Sequence, residues 1–268
     1  MAKAIHNLLL GLAVLLCTTA GCAKAQIADP DADPPPPPPV ETDPQVVALL
    51  EKIEAVSSET NTLSSRVRYT RVQTLTGDEQ RRYGWFYYTA ATDETPTLFA
   101  VMFDRLIVDG KARRIENWFV FDGRWLLERD HDDKTATRRE LVPEGAERDD
   151  TLSLGDGSMP IPLRLKADEV LKNYTVKRLE DEPFGEEQVL LHLQLKPKQA
   201  KRDTAPLDLW FDKQTLVLHK VVTMEDNDEI EMVFSKVEPN AEIKKGTFDT
   251  KLPDADDGWQ VQDVPLDS

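Results

Sequence analysis

Few residues of this sequence are of types that make or break bonds, and they are unevenly placed. Cysteine occurs only at Cys17 and Cys22. Any folded domain downstream therefore has no thiol for a disulfide, a zinc site or nucleophilic catalysis. The four histidines are His6, His131, His192 and His219. His131 sits in Asp130-His131-Asp132-Asp133, a set of metal-ligating types, but at the end of an expected hairpin strand among like charges it reads as a solvated turn. His192 and His219 fall in expected strands with no carboxylate or cysteine at ligand spacing. Glu225-Asp226-Asn227-Asp228-Glu229 is acidic enough to attract Ca²⁺, yet it lacks the glycine and the spaced ligands of a calcium loop and reads as a hairpin tip. The sequence contains no G-x-S-x-G, H-E-x-x-H, P-loop or dinucleotide fingerprint. The expectation is a protein with no catalytic residues, no metal and no cofactor. Carboxylate pairs distant in sequence, drawn from 49 acidic residues, are the remaining route to catalysis.

The one residue with legible covalent chemistry is Cys22. Residues 1–21 give a short basic start at Lys3, an apolar run from Leu8 to Cys17 and the small residues Thr18 to Gly21. About ten apolar residues cannot cross a hydrocarbon core that needs about 20 in a helix, so the segment reads as an export signal. Thr19-Ala20-Gly21-Cys22 resembles the bacterial lipobox, with Thr19 in place of the usual leucine, and implies lipid attachment at Cys22. Ala23-Lys24-Ala25 offers the other reading, ordinary cleavage after Ala25. Two or three acyl chains would anchor the protein durably, where one would not. Six prolines, Pro34 to Pro39, follow; in polyproline II they form a spacer of roughly 20 Å, at about 3.1 Å per residue, that would hold a domain off a membrane. The expected organisation is 1–21 signal peptide, 22–43 proline-rich tether and 44–268 a single folded domain.

The formal net charge is −16, and removal of residues 1–21, whose only formal charge is Lys3, leaves −17. Such a surface repels phosphate backbones, which excludes nucleic acid as a partner class. The same charge keeps an extracytoplasmic protein soluble.

Asp43-Pro44 supplies an N-cap and a first-turn proline, and Val46, Leu49, Leu50, Ile53 and Val56 recur at helical spacing, so a helix is expected over about 45–60. Beyond it the dominant period is two. Strands are expected at about 64–75, 81–89, 97–104, 114–121, 124–130, 135–141, 174–180, 187–195, 206–212, 216–225, 229–238 and 259–263. Asp122-Gly123 reads as a two-residue type I′ turn, and Asp226-Asn227-Asp228 as a second tight hairpin. The stretch 143–173, with Pro143, Gly155, Gly157, Pro160 and Pro162 before a helical run from Ala167 to Tyr174, is expected to interrupt the sheet in its middle. An antiparallel meander with these helices buries one sheet face only by curling over them. The fold class is therefore mainly β (α+β): a half-open antiparallel β-barrel of about 11 strands closed by a helical lid.

This order of elements resembles the LolA and LolB family of lipoprotein carriers and receptors. The resemblance rests on Leu209-Trp210-Phe211-Asp212, Leu216 to Met224, Asp226-Asn227-Asp228, Ile230 to Phe234, Asn240, Ile243, Phe248 and Leu252-Pro253. Upstream it rests on Gly84-Trp85-Phe86-Tyr87, Thr95-Pro96-Thr97-Leu98-Phe99 and Trp118 to Gly123, and it spans about residues 45–262. It implies a concave apolar face that takes up acyl chains. Thr95, preceded by Glu94, stands where proteobacterial carriers place an arginine, so the carrier-type lid latch is not expected. No exposed hydrophobic loop of the receptor type is identified.

Trp85, Tyr87, Phe99, Val101, Phe103, Phe119, Phe121, Trp125, Leu209, Phe211, Met224, Met232 and Phe234 are the residues expected to line a ligand cavity. In any β domain such positions first fill a core, and a curled sheet with a helical lid adds volume beyond that. The expected partners are acyl chains of lipoproteins or lipids, a membrane release complex or receptor lipoprotein, and a membrane reached through the lipid anchor. The expected state is a monomer in the periplasm, outer-membrane-anchored or soluble according to Cys22. The alternative is an anchored envelope sensor or scaffold that uses the same fold to bind a partner protein.

Overall fold

The computed structural model describes residues 43–145, 164–199 and 205–266. Cys22, the signal segment, the proline run and Gly155 to Pro162 lie outside the described residues. The chain divides into two units, 1–39 and 40–268.

Helix α1 spans Pro44–Glu59, with the Asp43 side chain accepting from the Gln45 N–H at 2.8 Å and Pro44 in the first turn. Its apolar stripe buries Val46, Leu50 and Ile53. Six strands follow as a meander: β1 (Thr62–Gln73), β2 (Glu79–Thr89), β3 (Leu98–Val108), β4 (Lys111–Phe121), β5 (Trp125–Asp130) and β6 (Thr135–Glu140). Helix α2 (Ala167–Asn173) then leads into β7 (Tyr174–Arg178), β8 (Glu182–Phe184), β9 (Gln188–Pro197), β10 (Leu207–Asp212), β11 (Leu218–Glu225) and β12 (Asp228–Pro239). A 3₁₀ turn, Ala255–Asp257, precedes β13 (Gln260–Val264).

The strands form a 13-stranded sheet in the order β13-β6-β5-β4-β3-β2-β1-β12-β11-β10-β9-β7, with β8 paired to β9. Four expectations need correction. Thirteen strands replace about eleven, and the one with no counterpart among the expected segments is the three-residue β8. The sheet is not purely antiparallel, since β13 pairs parallel with β6. The stretch after β6 does not interrupt the sheet in its middle; it carries the chain from one end, β6, to the other, β7, and the middle is the antiparallel β1–β12 pair. The fourth concerns the Asp-Gly turns. The two-residue turn with positive φ at both positions stands at Asp109 (51°) and Gly110 (72°), joining Val108 to Lys111. At Asp122-Gly123 only the glycine has positive φ, because the Asp122 carboxylate takes up the N–H groups of Arg124 and Trp125 at 2.9 and 2.8 Å in an Asx-type turn. The turn at Asp226 (49°) and Asn227 (69°) is tight, as expected.

One sheet face and both helices share the main core, which joins Val46, Leu50 and Ile53 of α1 and Val170 of α2 to residues of β1–β5, β7 and β9–β12. The opposite face carries a smaller cluster of Ala100, Val120, Leu127 and Ala136, covered by Phe248, Leu252 and Trp259 of the C-terminal segment. That segment is clasped to the sheet by the Arg138 fork on Asp263, at 3.0 and 2.5 Å, and by the Leu266 N–H on Glu140 at 3.1 Å.

Candidate functional site

The helix-facing side of the sheet is the surface on which a ligand would act, and strand alternation decides its lining. Phe99, Val101 and Phe103 of β3 point to it, as do Phe119 and Phe121 of β4, Leu209 and Phe211 of β10, and Met232 and Phe234 of β12. The aromatic rings meet across strands. Phe99 stacks on Phe121 at 5.3 Å, Phe86 meets Phe234 edge-on at 5.5 Å, and Phe103 touches both Tyr69 and Phe119 at about 6 Å.

The other four expected lining residues lie elsewhere. Trp85 and Tyr87 alternate with Phe86 and Tyr88, and it is the latter pair that joins the main core. Trp85 is 37 % exposed, and Tyr87 packs on the smaller cluster. Trp125 shares the side of Leu127 on β5, and Met224 is exposed near the β11–β12 turn. Each of the five tryptophans instead lies under a cation. Arg66 stands over Trp85 at 5.0 Å, Arg129 over Trp118 and Trp259, Arg138 over Trp125 at 4.5 Å, and Lys220 over Trp210 at 4.1 Å. A cation held over an indole face is stabilising and keeps these rings on the charged side.

The residues of this face that the sequence did not single out are Leu63, Val67, Phe86, Tyr88, Leu193, Leu195 and Val221. The run Trp85-Phe86-Tyr87-Tyr88 has no apolar alternation, so it gave no signal of which pair faces inward. Ser65 lies on the same face, opposite Phe86; its hydroxyl is buried with no hydrogen-bond partner among the described residues. Burial pushes the Tyr69 phenol above its ordinary range, with Glu225 adding to the effect.

At the C-terminal end of α1 an apolar opening of about 40 Å³ is lined by Ile53, Val56, Leu63, Tyr88, Leu165 and Phe211 among others. The helices are tied to one another by Glu54 of α1, whose carboxylate accepts from the Ala167 N–H at 3.0 Å. Thr95 takes no part: it closes a local turn with Thr92, hydroxyl to hydroxyl at 2.8 Å. At the other end of β1, Leu75 in the β1–β2 turn is 95 % exposed, an apolar tip that the sequence did not flag.

Among the described residues, no group of three or more His, Cys, Asp or Glu side chains could hold a metal ion, and no helix is long and apolar enough to cross a membrane. His131 lies between Trp118 and Trp259 at 4.8 and 5.2 Å from their rings. Burial, then Arg129, holds its imidazole below the ordinary value.

No family model and no curated protein matches the chain. Solved structures are similar to it at low identity. MucB is 12 % identical over 79 % of this chain and 65 % of that one, with a TM-score of 0.46. LprF from Mycobacterium bovis is 10 % identical over 76 % and 98 %, with a TM-score of 0.43. A LolA superfamily protein stands among them. It comes from Nitrosomonas europaea and is 11 % identical over 75 % of this chain and 96 % of that one, with a TM-score of 0.34. The chain thus spans slightly less than two thirds of the length of MucB.

Proposed function

We propose that this is a LolA-like envelope protein, anchored through Cys22, that takes acyl chains of a lipoprotein or lipid onto the helix-facing side of its curled sheet. The observation that supports this most directly is the construction of that side. Aromatic and branched residues of β1–β4 and β9–β12 form one apolar surface, and its cover in the described residues includes a separate element, α1, that contributes Val46, Leu50 and Ile53.

The opening of about 40 Å³ is far below the roughly 300–1,000 Å³ of small-molecule sites, so uptake of an acyl chain requires α1 to move. The exchange is then one apolar surface for another. Acyl carbons replace the α1 stripe beside Phe211, which lines the same opening as Ile53 and Val56, each square ångström of apolar area counting about 25 cal/mol in either state. Affinity is set by the small difference between the two covers, which suits a protein that must also release its cargo. No local energy source is needed.

The test is uptake of a fluorescent fatty acid by the mature protein, paired with intact-mass analysis of wild type and Cys22→Ala from membrane and soluble fractions. Saturable uptake and a Cys22-dependent lipid mass are expected. An unacylated, wholly soluble wild type that still takes up fatty acid makes the protein a mobile shuttle.

A second reading, a scaffold that binds a protein partner, draws on the edge strand β13. There Val261, Val264 and Leu266 are each more than a third exposed beside an edge with no further strand in the described sheet. Capture of one stoichiometric protein by a lipid-free domain would favour it.

A further inference from the structure

A second concavity, of about 330 Å³, lies between the β8–β9 hairpin, the β10–β11 turn and the last residues of β12. It is lined by Phe184, Gln188, Thr215, Val217, His219, Ser235, Lys236, Val237 and Pro239. Its volume falls at the lower end of the roughly 300–1,000 Å³ typical of small-molecule sites.

Two features say what it would hold. The first is charge. In a chain in which 31 % of residues are charged, only Lys236 among these nine is, and the lining contains no carboxylate. Gln188, Thr215 and Ser235 supply neutral donors and acceptors, and Phe184, Val217 and Pro239 supply apolar contact.

The second is His219. Its residue is 7 % exposed, its ring meets Phe184 edge-on at 5.7 Å, and its Nδ1 is buried with no hydrogen-bond partner among the described residues. A buried polar atom left unpaired costs about 1–3 kcal/mol; His219 lines the concavity with Phe184 against its ring, so a small shift of Phe184 that uncovered Nδ1 would give it the partner it lacks. Burial holds the imidazole below its ordinary pKa, against Asp212 and the Phe234 carbonyl, which favour the charged form. A neutral ring with an unpaired nitrogen asks for a hydroxyl or amide donor, not for an anion.

We propose that this groove binds an uncharged, hydroxyl-rich ligand of about one sugar ring, free or at the end of a glycan. The apolar ring face would lie on Phe184 and Pro239, and its hydroxyls would reach Gln188, Ser235 and His219. The volume exceeds the bulk of one such ring and leaves room for water beside it. Val217 lines both this groove and the opening beside α1, so the two sites adjoin, but sugar binding does not rest on acyl uptake.

The test uses the Cys22→Ala protein carrying ¹⁵N-histidine, titrated with glucose, N-acetylglucosamine, N,N′-diacetylchitobiose and glucuronate. A saturable shift of the His219 ring nitrogens by at least one neutral sugar is expected at about 1 mM, with His131 unmoved and with tenfold weaker binding in Ser235→Val and Gln188→Leu. Tighter binding of the disaccharide would identify a glycan end as the source, and equal binding a single ring. No His219 shift at about 10 mM of any neutral sugar, tightest binding by glucuronate, or binding unchanged in both variants overturns the proposal.

Discussion

The carboxylate of Glu54, in the third turn of α1, accepts a hydrogen bond from the backbone N–H of Ala167, the first residue of α2, at 3.0 Å. Helix α2 has no side-chain cap of its own, so its exposed N-terminal dipole is met by a charge from the neighbouring helix. This bond couples the helix proposed to move with the segment that carries the chain across to β7.

Replacing Glu54 by alanine is therefore expected to cost about 1 kcal/mol, the usual value of a lost N-cap, and to speed amide exchange at Ala167. If α1 moves to admit acyl chains, fatty-acid uptake becomes faster in the same variant. Unchanged uptake beside faster exchange at Ala167 would separate the latch from ligand entry.

The assignment of sheet faces is tested by a neighbouring pair. Phe86→Ala removes a fully buried ring packed on Phe234 and should cost about 3–5 kcal/mol. Trp85→Ala removes a ring that is 37 % exposed under Arg66 and should cost about 1 kcal/mol or less. Denaturant midpoints of the two variants decide it, and a reversed order would place the wrong ring inside.

The two Asp-Gly turns make different demands. Gly110, at φ 72°, has open space where a Cβ would be, so Gly110→Ala should cost about 1–2 kcal/mol from backbone conformation alone. At Gly123 a Cβ would fall 2.1 Å from a Pro96 side-chain atom. Gly123→Ala should therefore be the more destabilising in thermal unfolding.

His131 and His219 both have folded pKa values below the ordinary 6.5, chiefly through burial. As pH falls through 6.5 the unfolded chain takes up these protons while the folded chain resists, so stability is lost from pH 6.5 downward until the folded values are reached. Above that window neither group contributes. Around His131 the opposing charges are Arg129 on one side and Glu116, Asp130 and Asp132 on the other. Stability measured against pH in wild type and His131→Gln should show a shallower decline in the variant, with the difference confined to acid pH.

The helices and the sheet could be read from the sequence because their signals are local: Asp43-Pro44 capping the α1 stripe, and period-two segments ending at turn residues. What escaped depended on partners far along the chain. The parallel seat of β13 against β6 rests on Arg138 and Asp263. The choice of Asp109-Gly110 over Asp122-Gly123 as the tight turn rests on the side chain of Asp122, which also accepts from the Thr250 hydroxyl. Nine of the thirteen expected lining residues share the helix-facing side; in β10 and β12 the alternations Leu207-Asp208-Leu209 and Ile230-Glu231-Met232 fix the parity, whereas Leu98 to Phe103 of β3 and Trp118 to Phe121 of β4 are apolar on both faces and give no such signal. Trp85 and Tyr87 do not share that side, because all four residues of that run are aromatic and only pairing of Phe86 with Ser65 and Val101 sets which way they point. The groove at His219 was invisible for the same reason, since its lining comes from β8 to β12.

In the proposed mechanism the apolar face beneath α1 exchanges the helix for acyl chains. Native mass spectrometry of the mature protein, isolated from membranes and again after incubation with fatty acid, measures this most directly. The account predicts a bound acyl species whose occupancy falls in Phe86→Asp and Phe234→Asp, variants whose folding is confirmed by circular dichroism, and stays unchanged in Trp85→Ala. A folded wild-type protein that carries no lipid and takes up no fatty acid would contradict it.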